Sequence, residues 1–396
     1  MARIRDRHHR LLVLCTVTLL LVFYFHSHTT PAPPPPPPPP PPLPLPQGRI
    51  LIASNHWNSA KILPVWSAAV LSLIEHLGAE NVYFSLYESG SWDNTKSQLR
   101  ALDHSLGQLG VPRSIILDEV THAEEISRPR GLNEPGWLFN RASARWELRR
   151  IPYLARLRNL VLSPLQDPAI TNATHSFSRI LFLNDVVFTA ADALTLLNTR
   201  DGNYAAACAL DFRYAREFYD TFALRDSKGR PAVSQRWPYF GAGLSRRLLA
   251  AGAPEVPVSS CWNGMVAFDA RPFLGAGGLR FRGVDDALAE LHVEGSECCL
   301  VHYDNPLTRE KGRGVWVNTQ VRVGYTVEAY EGTRNWPTWR ERAWGWVTAL
   351  VTGVLGLPWR DGRIARRLQS WGGTEVGADC LIDEMQVLRS NGWKHL

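Results

Sequence analysis

Lysine is scarce in this sequence. Of 43 basic residues only Lys61, Lys96, Lys228, Lys311 and Lys394 are lysines, so lysine-based covalent catalysis has few candidates. Several signatures are missing altogether. No GxxxxGK[ST] occurs, which excludes a P-loop, and no GxGxxG follows the first strand, which removes the dinucleotide fingerprint. No GxSxG or HExxH is present, which argues against elbow-type serine hydrolases and zincins. No CxxC occurs among the six cysteines, so a zinc ribbon or thioredoxin-type site has no support. No internal repeat is visible. Of the net charge of +6, +3 sits in the first ten residues, leaving about +3 for the rest; this is not the basic density of a nucleic-acid binder. Hydrophobic residues at 45% and charged residues at 20% are ordinary for a globular chain and exclude bulk disorder or collagen.

The 396 residues divide by composition. Residues 1–10 are basic, and 11–28 form an apolar run ending in a His-Ser-His flank. Its 15-residue apolar core would span about 22 Å as a helix, short of the roughly 30 Å of a bilayer but tolerable in a thin early-secretory membrane. A cleaved signal peptide is the other reading. No clean small-x-small site follows the run, so an uncleaved signal anchor is expected, with arginines holding the N-terminus in the cytosol. Thirteen of the 28 prolines lie in residues 31–46, and such a run extends as polyproline II at about 3.1 Å per residue. Residues 29–48 therefore read as a stiff stalk, the layout of a type II Golgi enzyme. A PxxP ligand is the alternative, but its partner domains are cytosolic. Five cysteines remain in the body, at 208, 261, 298, 299 and 380; an odd number leaves at least one thiol unpaired or bridging to another chain. Asn172-Ala173-Thr174 is a glycosylation sequon.

From residue 49, strands alternate with helices. RILIA at 49–53, VYFSLY at 82–87, SIILD at 114–118 and RILFL at 179–183 read as strands. Val65, Trp66, Ala69, Val70, Leu73, Ile74 and Leu77 trace one helical face that Gly78 closes. A helix ending near Gly110 and a long amphipathic helical region over about 137–163 follow the same logic. Alternation argues for a mostly parallel sheet with helices on both faces. The crossover rule then places loops 54–58, 88–95 and 184–186 at the carboxyl edge, where ligands bind. Segments 204–210, 263–268, 298–303 and 315–323 read as further strands, the last alternating in the antiparallel manner. The tail from about 333 carries seven of the 15 tryptophans. Its stretch 343–357 is apolar but short and broken by glycine, which reads as packing or membrane-surface contact.

Five segments could carry chemistry. In FLNDVVF the strand ends at Asn184-Asp185; a carboxylate there can hold Mg²⁺ or Mn²⁺ on a diphosphate, although a capped strand-to-helix turn gives the same residues. Ser89, Gly90 and Asp93 lie in a turn opening a helix, suited to anions or a nucleoside, or equally to an N-cap. Trp262 and Asn263 suit sugar stacking and hydrogen bonding, or a core tryptophan beside a turn. Glu297 to Asn305, read as a strand, would put His302 and Asp304 on one face, where either could complete a metal shell. Asp211 and Asp226 flank a stretch rich in carboxylates and aromatics.

Taken in order, ESGSWDNTK, FLNDV, FYDTFALRD, SCWNGMVAFDA, GSECCLVHYDN and CLIDEMQVL with the following NGW resemble the fungal α-1,3-mannosyltransferase family of capsule synthesis, glycosyltransferase family 69, from about residue 49 to the C-terminus. The resemblance implies a GT-A-like nucleotide-sugar-binding α/β fold and a Golgi membrane enzyme of single-pass type II topology with the domain 49–396 in the lumen. It implies transfer of mannose from GDP-mannose to a mannose-containing glycan in α-1,3 linkage, retaining and dependent on Mn²⁺ or Mg²⁺. Asn184-Asp185 takes the place of the metal and diphosphate motif. On this expectation Asp185 holds the metal with His302 or Asp304, and Ser89, Gly90, Asp93, Asn184, Trp262 and Asn263 contact the donor. Asp211, Asp226 and Glu297 are the candidate acceptor-orienting or base carboxylates. Partners would be the donor, a glycan acceptor and the membrane, with no nucleic acid. Two other readings stay open: the same fold using UDP-xylose or UDP-galactose, or a non-catalytic scaffold or lectin.

Overall fold

A computed structural model describes residues 48–171, 176–334, 336–345, 347 and 361–396. The chain divides into two units, Met1–Leu43 and Pro44–Leu396, and only the second falls within the described residues. The expected anchor at 11–28, almost all of the stalk, Asn172 and most of 343–357 lie outside them. Among the described residues no helix is long and apolar enough to cross a membrane.

In chain order the strands are β1 Arg49–His56, β2 Val82–Ser89, β3 Arg113–Asp118, β4 Trp137–Asn140, β5 Arg145–Leu148, β6 Phe177–Leu183, β7 Ala206–Tyr214, β8 Glu217–Phe218 and β9 Arg225–Asp226. They continue with β10 Glu255–Ser260, β11 Met265–Asp269, β12 Glu294–Gly295, β13 Val315–Gly324, β14 Leu381–Ile382, β15 Gln386–Arg389 and β16 Gly392–His395. Ten of them form one sheet in the order β3-β2-β1-β6-β11-β7-β13-β10-β9, with β8 on β7. The pairs β3–β2, β2–β1, β1–β6 and β7–β13 are parallel. β11 runs against both β6 and β7, and β10 against β13 and β9. The sheet is thus a mixed one in which most strands share a direction.

Strand alternation builds two cores. Ile50 and Ile52 face one side with Trp66, Val70, Leu73 and Leu77 of the helix Leu63–Leu77. Leu51 and Ala53 face the other with Tyr153 and Leu157 of the helix Arg150–Val161. Successive side chains of a strand point to opposite faces, so one buried strand needs a layer on each side. Gly78 ends the first helix at φ 84°, a conformation that favours glycine.

Two sequence expectations need correction. Residues 137–163 are not one helix: β4 and β5 form a hairpin, and a helix begins only at Arg150. Phe139 and Trp146 pair across the hairpin with rings 5.5 Å apart, although their seven-residue separation would also fit one face of a helix. Residues 297–304 form a helix rather than a strand. The first six of its eight residues are buried, so no polar face marks its period. β13 also departs in part, since it pairs parallel with β7 while lying antiparallel to β10.

The chain runs outward from β1 through β2 to β3, then returns to lay β6 on the other side of β1. This reversal is a topological switch point, and the crevice beyond the strand ends there is the natural ligand site of such a sheet.

Candidate functional site

A cleft of about 1140 Å³ opens at this point. Asn55 and His56 at the end of β1, Trp57 just after it, Ser89 at the end of β2, and Asn184 and Asp185 after β6 line it. These come from the three loops the crossover rule placed at the edge. The helix Arg150–Val161 adds Arg150, Tyr153 and Arg158, and Asp220, Trp262, Glu297 and Tyr325 complete the inner wall.

The Asn184-Asp185 turn is held at three points. The Asn184 N–H donates to the Gly264 carbonyl at 2.9 Å. Its own carbonyl accepts from Trp66 Nε1 at 2.9 Å, and its side-chain Oδ1 accepts from Trp262 Nε1 at 2.9 Å. Gly264 fits there because a Cβ would meet Val323 Cγ2 at 2.9 Å and Val186 Cγ1 at 3.1 Å, and its φ of +75° favours glycine. The disulfide Cys208–Cys261 ties the strand β7 to the residue just before Trp262. Asp185 follows this anchored turn. Its carboxylate has no hydrogen bond or ion pair from another described residue, and loss of hydration pushes its pKa up to about 6. An anion deprived of water without a countercharge fits a cation, and a divalent metal prefers such oxygen ligands.

The two inner carboxylates are already engaged. Glu297 pairs with Arg158, Nε to Oε1 at 3.0 Å, and the Arg158 guanidinium lies over the Trp262 ring at 4.2 Å. Asp220 accepts from the Ala223 N–H at 2.9 Å and the Asn263 N–H at 3.1 Å. Beneath it, buried Asp211 accepts from the Asp220 N–H at 3.1 Å and from the Tyr325 hydroxyl at 3.2 Å. Burial beside Asp220 holds the Asp211 carboxyl well above the usual carboxylate range. At the other end, Trp57 stacks on His122 at 4.4 Å and 8°. Trp57 Nε1, both His122 nitrogens and Asn55 Oδ1 are buried without a partner among the described residues. Buried polar groups are normally bonded, so an orphaned set beside a flat aromatic stack suits a planar polar ligand. Burial holds His122 neutral, down to about 4, and His56 to about 3.

Of the residues singled out from sequence, Ser89, Asn184, Asp185, Trp262 and Glu297 line the cleft. The others do not. Asp226 instead pairs with Arg230 at 2.6 Å and closes the turn that follows it. Asp304 pairs with Arg282 at 2.7 Å. His302 is buried, its Nε2 on the Cys261 carbonyl at 2.6 Å, and burial lowers its pKa to about 4. The metal set of Asp185 with His302 or Asp304 is therefore not assembled. Asp93 accepts from the Thr95 N–H at 2.9 Å and the Ala60 N–H at 3.2 Å, a capping role. Gly90 is close to backbone rather than ligand, since a Cβ would fall 2.1 Å from the Val120 carbonyl oxygen. Asn263 is buried, its Nδ2 bonded to the Ala209 carbonyl at 2.8 Å. Asp211 lies behind Tyr325. Trp262 is packed among Phe182, Phe268 and Phe281 and orients Asn184, leaving no free stacking face on the Arg158 side.

Sequence reasoning missed His122, Arg150, Tyr153, Arg158 and Tyr325, none of which sits in a local motif. Asp220 lies in the same segment FYDTFALRD as Asp226, six residues before it. Cysteine counting held: Cys208–Cys261 and Cys299–Cys380 pair, and Cys298 stays free and buried.

Comparison with known proteins bears on this geometry. Residues 49–304 match the model of the family described as cryptococcal mannosyltransferase 1. An alpha-1,3-mannosyltransferase of Cryptococcus neoformans, CMT1, is 26% identical over 270 residues, covering 65% of this chain and 54% of that protein. The match thus spans about half the length of that relative. Among solved structures, a mannosyltransferase from Pyrobaculum calidifontis in complex with GDP-Man and Mn²⁺ is similar at a TM-score of 0.34 and 11% identity, over 81% of this chain and 68% of that one. GalNAc-T7 with UDP, GalNAc and Mn²⁺ is similar at 0.38 and 12% identity, over 84% and 55%. Both are too distant for any residue role to be carried across. The matched segment contains the cleft loops 54–58 and 184–186, the helix that bears Arg150 and Arg158, and Glu297, and by that match the chain belongs to the cryptococcal mannosyltransferase 1 family.

Proposed function

We propose that this protein is a metal-dependent glycosyltransferase of GT-A type that moves mannose from GDP-mannose to a mannose hydroxyl of a glycan, in α-1,3 linkage and with retention. The observation that carries the reading is Asp185, a desolvated cleft carboxylate without a countercharge at the switch point of the sheet. Family membership and the Cryptococcus relative, an alpha-1,3-mannosyltransferase, support the sugar and linkage.

Asp185 would hold the cation, with Asn184 beside it. When bound, the metal offsets the charge that develops on the leaving diphosphate. The unpaired polar groups around Trp57 and His122 would take the base. Transfer breaks the bond from mannosyl C1 to the phosphate oxygen and forms one from C1 to the acceptor oxygen. The acceptor proton passes to the departing phosphate, so no protein nucleophile is needed. The engagement of Glu297 by Arg158 and of Asp220 by two backbone N–H groups supports this route, because neither is free to attack.

The same reading keeps residues 11–28 as a signal anchor and 29–48 as a stalk, with the body in the Golgi lumen. Two disulfides in the body support an oxidising compartment. The test is GDP release from GDP-mannose with an α-mannobiose acceptor, with Mn²⁺ or with chelator, set beside UDP-xylose and UDP-galactose. Metal- and acceptor-dependent GDP release that Asp185→Asn lowers at least 100-fold is the expected result. Release from a UDP-sugar instead overturns the donor. Silence with every donor from folded protein favours the scaffold or lectin reading.

A further inference from the structure

The cations in and behind the cleft wall are mostly engaged within the protein: Arg230 pairs with Asp226 at 2.6 Å and Arg363 with Asp383 at 2.8 Å, and Arg225 donates to backbone carbonyls, while Lys228 is exposed. Arg149 pairs with Glu294 at 2.8 Å and Asp286 at 2.6 Å, and Arg158 with Glu297 at 3.0 Å. Arg150, on the same helix and lining the cleft, has no carboxylate within 4 Å among the described residues. Of its five N–H donors one is used, Nη1 to Gln386 Oε1 at 2.6 Å. Its guanidinium lies over the Trp393 ring at 4.6 Å. Both partners come from the hairpin β15–β16, which lies beyond the segment 49–304 that matches the family. Trp393 is itself 42% exposed and lines the cleft.

Arg150, Asp185 and Tyr219 line the same cleft. Tyr219 packs edge-on against Tyr325 at 4.7 Å. Tyr325 lines the cleft as well, its hydroxyl donating to the Asp211 carboxylate at 3.2 Å. A half-buried guanidinium that has found no carboxylate is an incomplete arrangement, and an anionic ligand completes it. Its planar fork matches phosphate oxygens two at a time.

We propose that Arg150 is the catalytic cation that receives the diphosphate of the donor, and that Gln386 and Trp393 of the C-terminal hairpin are the positioning residues that aim it. The proposal rests on the transferase reading for its substrate but not for its anion site. The hairpin thereby makes the chemistry at the switch point depend on the last dozen residues of the chain. Gln386 fixes one edge of the guanidinium, Trp393 fixes its plane, and the remaining donors are left for the ligand.

The test measures binding of inorganic pyrophosphate to the full chain in the presence of Mn²⁺, alongside GDP release from GDP-mannose. Charged hydrogen bonds of this kind correspond to roughly ten- to a hundredfold in affinity. Arg150→Gln is expected to weaken pyrophosphate by about tenfold or more and to lower kcat with little change in acceptor KM. Arg150→Lys is expected to recover part of the affinity. Trp393→Ala is expected to weaken pyrophosphate about three- to tenfold, and Trp393→Phe to restore it, which a merely structural loss would not do. Wild-type affinity in Arg150→Gln, or no pyrophosphate binding by the wild type, overturns the proposal. Pyrophosphate binding that needs Arg150 in a protein that releases no GDP keeps the anion site and sinks the transferase reading. Transfer that Arg150→Gln leaves intact keeps the reading and sinks this inference.

Discussion

Glu297 allows two explanations for one loss of activity, and its ion pair with Arg158 separates them. The carboxylate side chain is 3% exposed and the guanidinium 12%, with Nε and Oε1 3.0 Å apart. Neither charge has much water to fall back on. Removing one partner of such a pair typically costs about 3–5 kcal/mol, because the other charge is left uncompensated. Glu297→Gln keeps the shape and a neutral hydrogen bond, so the cost should sit near the lower end, about 3 kcal/mol. Arg158 would remain over Trp262, the ring that orients Asn184, so displacement of the guanidinium would reach the metal turn. In a body of this size about 2 °C of Tm accompanies each kcal/mol, which gives a fall of about 6 °C. The assay is thermal melting of wild type, Glu297→Gln, Arg158→Met and the double variant, with transfer measured on the same samples. The double variant should lose less than the sum of the singles, with a coupling of about 2 kcal/mol or more. A Glu297→Gln protein that melts with the wild type yet transfers a hundredfold more slowly would refute the structural assignment and make Glu297 a chemical participant.

Gly90→Ala should destabilise the fold by about 2–3 kcal/mol or more, since φ is +72° and the new Cβ would strike a backbone oxygen; a normal melt with lost donor binding would instead return Gly90 to the ligand site. Acid should unfold the protein in part through histidines held neutral by burial. His302 has its pKa lowered to about 4, so the stability it contributes is complete above the unfolded value of about 6.5 and lost as the pH falls towards 4. His302→Gln should flatten the acid limb by about 1.4 kcal/mol per pH unit, and an unchanged slope counts against burial as the cause. Cys299→Ala and Cys380→Ala should each cost about 4–5 kcal/mol by loop entropy, the bridge closing residues 81 apart, and the double variant no more than either. Additive losses in urea melts would show that the two sulfurs act separately.

Much of the N-terminal half was readable from sequence. RILIA, VYFSLY, SIILD and RILFL lie within β1, β2, β3 and β6; the first two and the last are continuous apolar runs because those strands are buried on both faces, whereas β3, at the sheet edge, is only half-buried. The helical face survives from Trp66 to Leu77 for the opposite reason, having one wet side, on which Val65 lies exposed. Ser89, Asn184 and Asp185 reach the cleft because strand ends feed its edge. The failures share a cause as well. Asp304 is taken by Arg282 from 22 residues away, and Glu297 by Arg158 from 139 away. No local pattern reveals which acid a distant arginine will neutralise. His302 looked like a ligand on a strand and is a core residue on a helix, because Cys299–Cys380 and the neighbouring strands bury that helix.

The alternation of strands and helices, the edge at which loops gather, the spare cysteine and the acidic turn after β6 are all legible in the order of residues. These depend on hydrophobic periodicity and chain connectivity, which are local or nearly so. Tertiary structure alone decided which charges stay free. It paired Arg149 and Arg158 with acids more than a hundred residues away and left Arg150 facing the cleft. It also brought a hairpin from the far end of the chain to hold Arg150. Whether a charged group is spent on the fold or kept for a ligand depends on its desolvation and its neighbours, and those exist only once the chain has closed on itself.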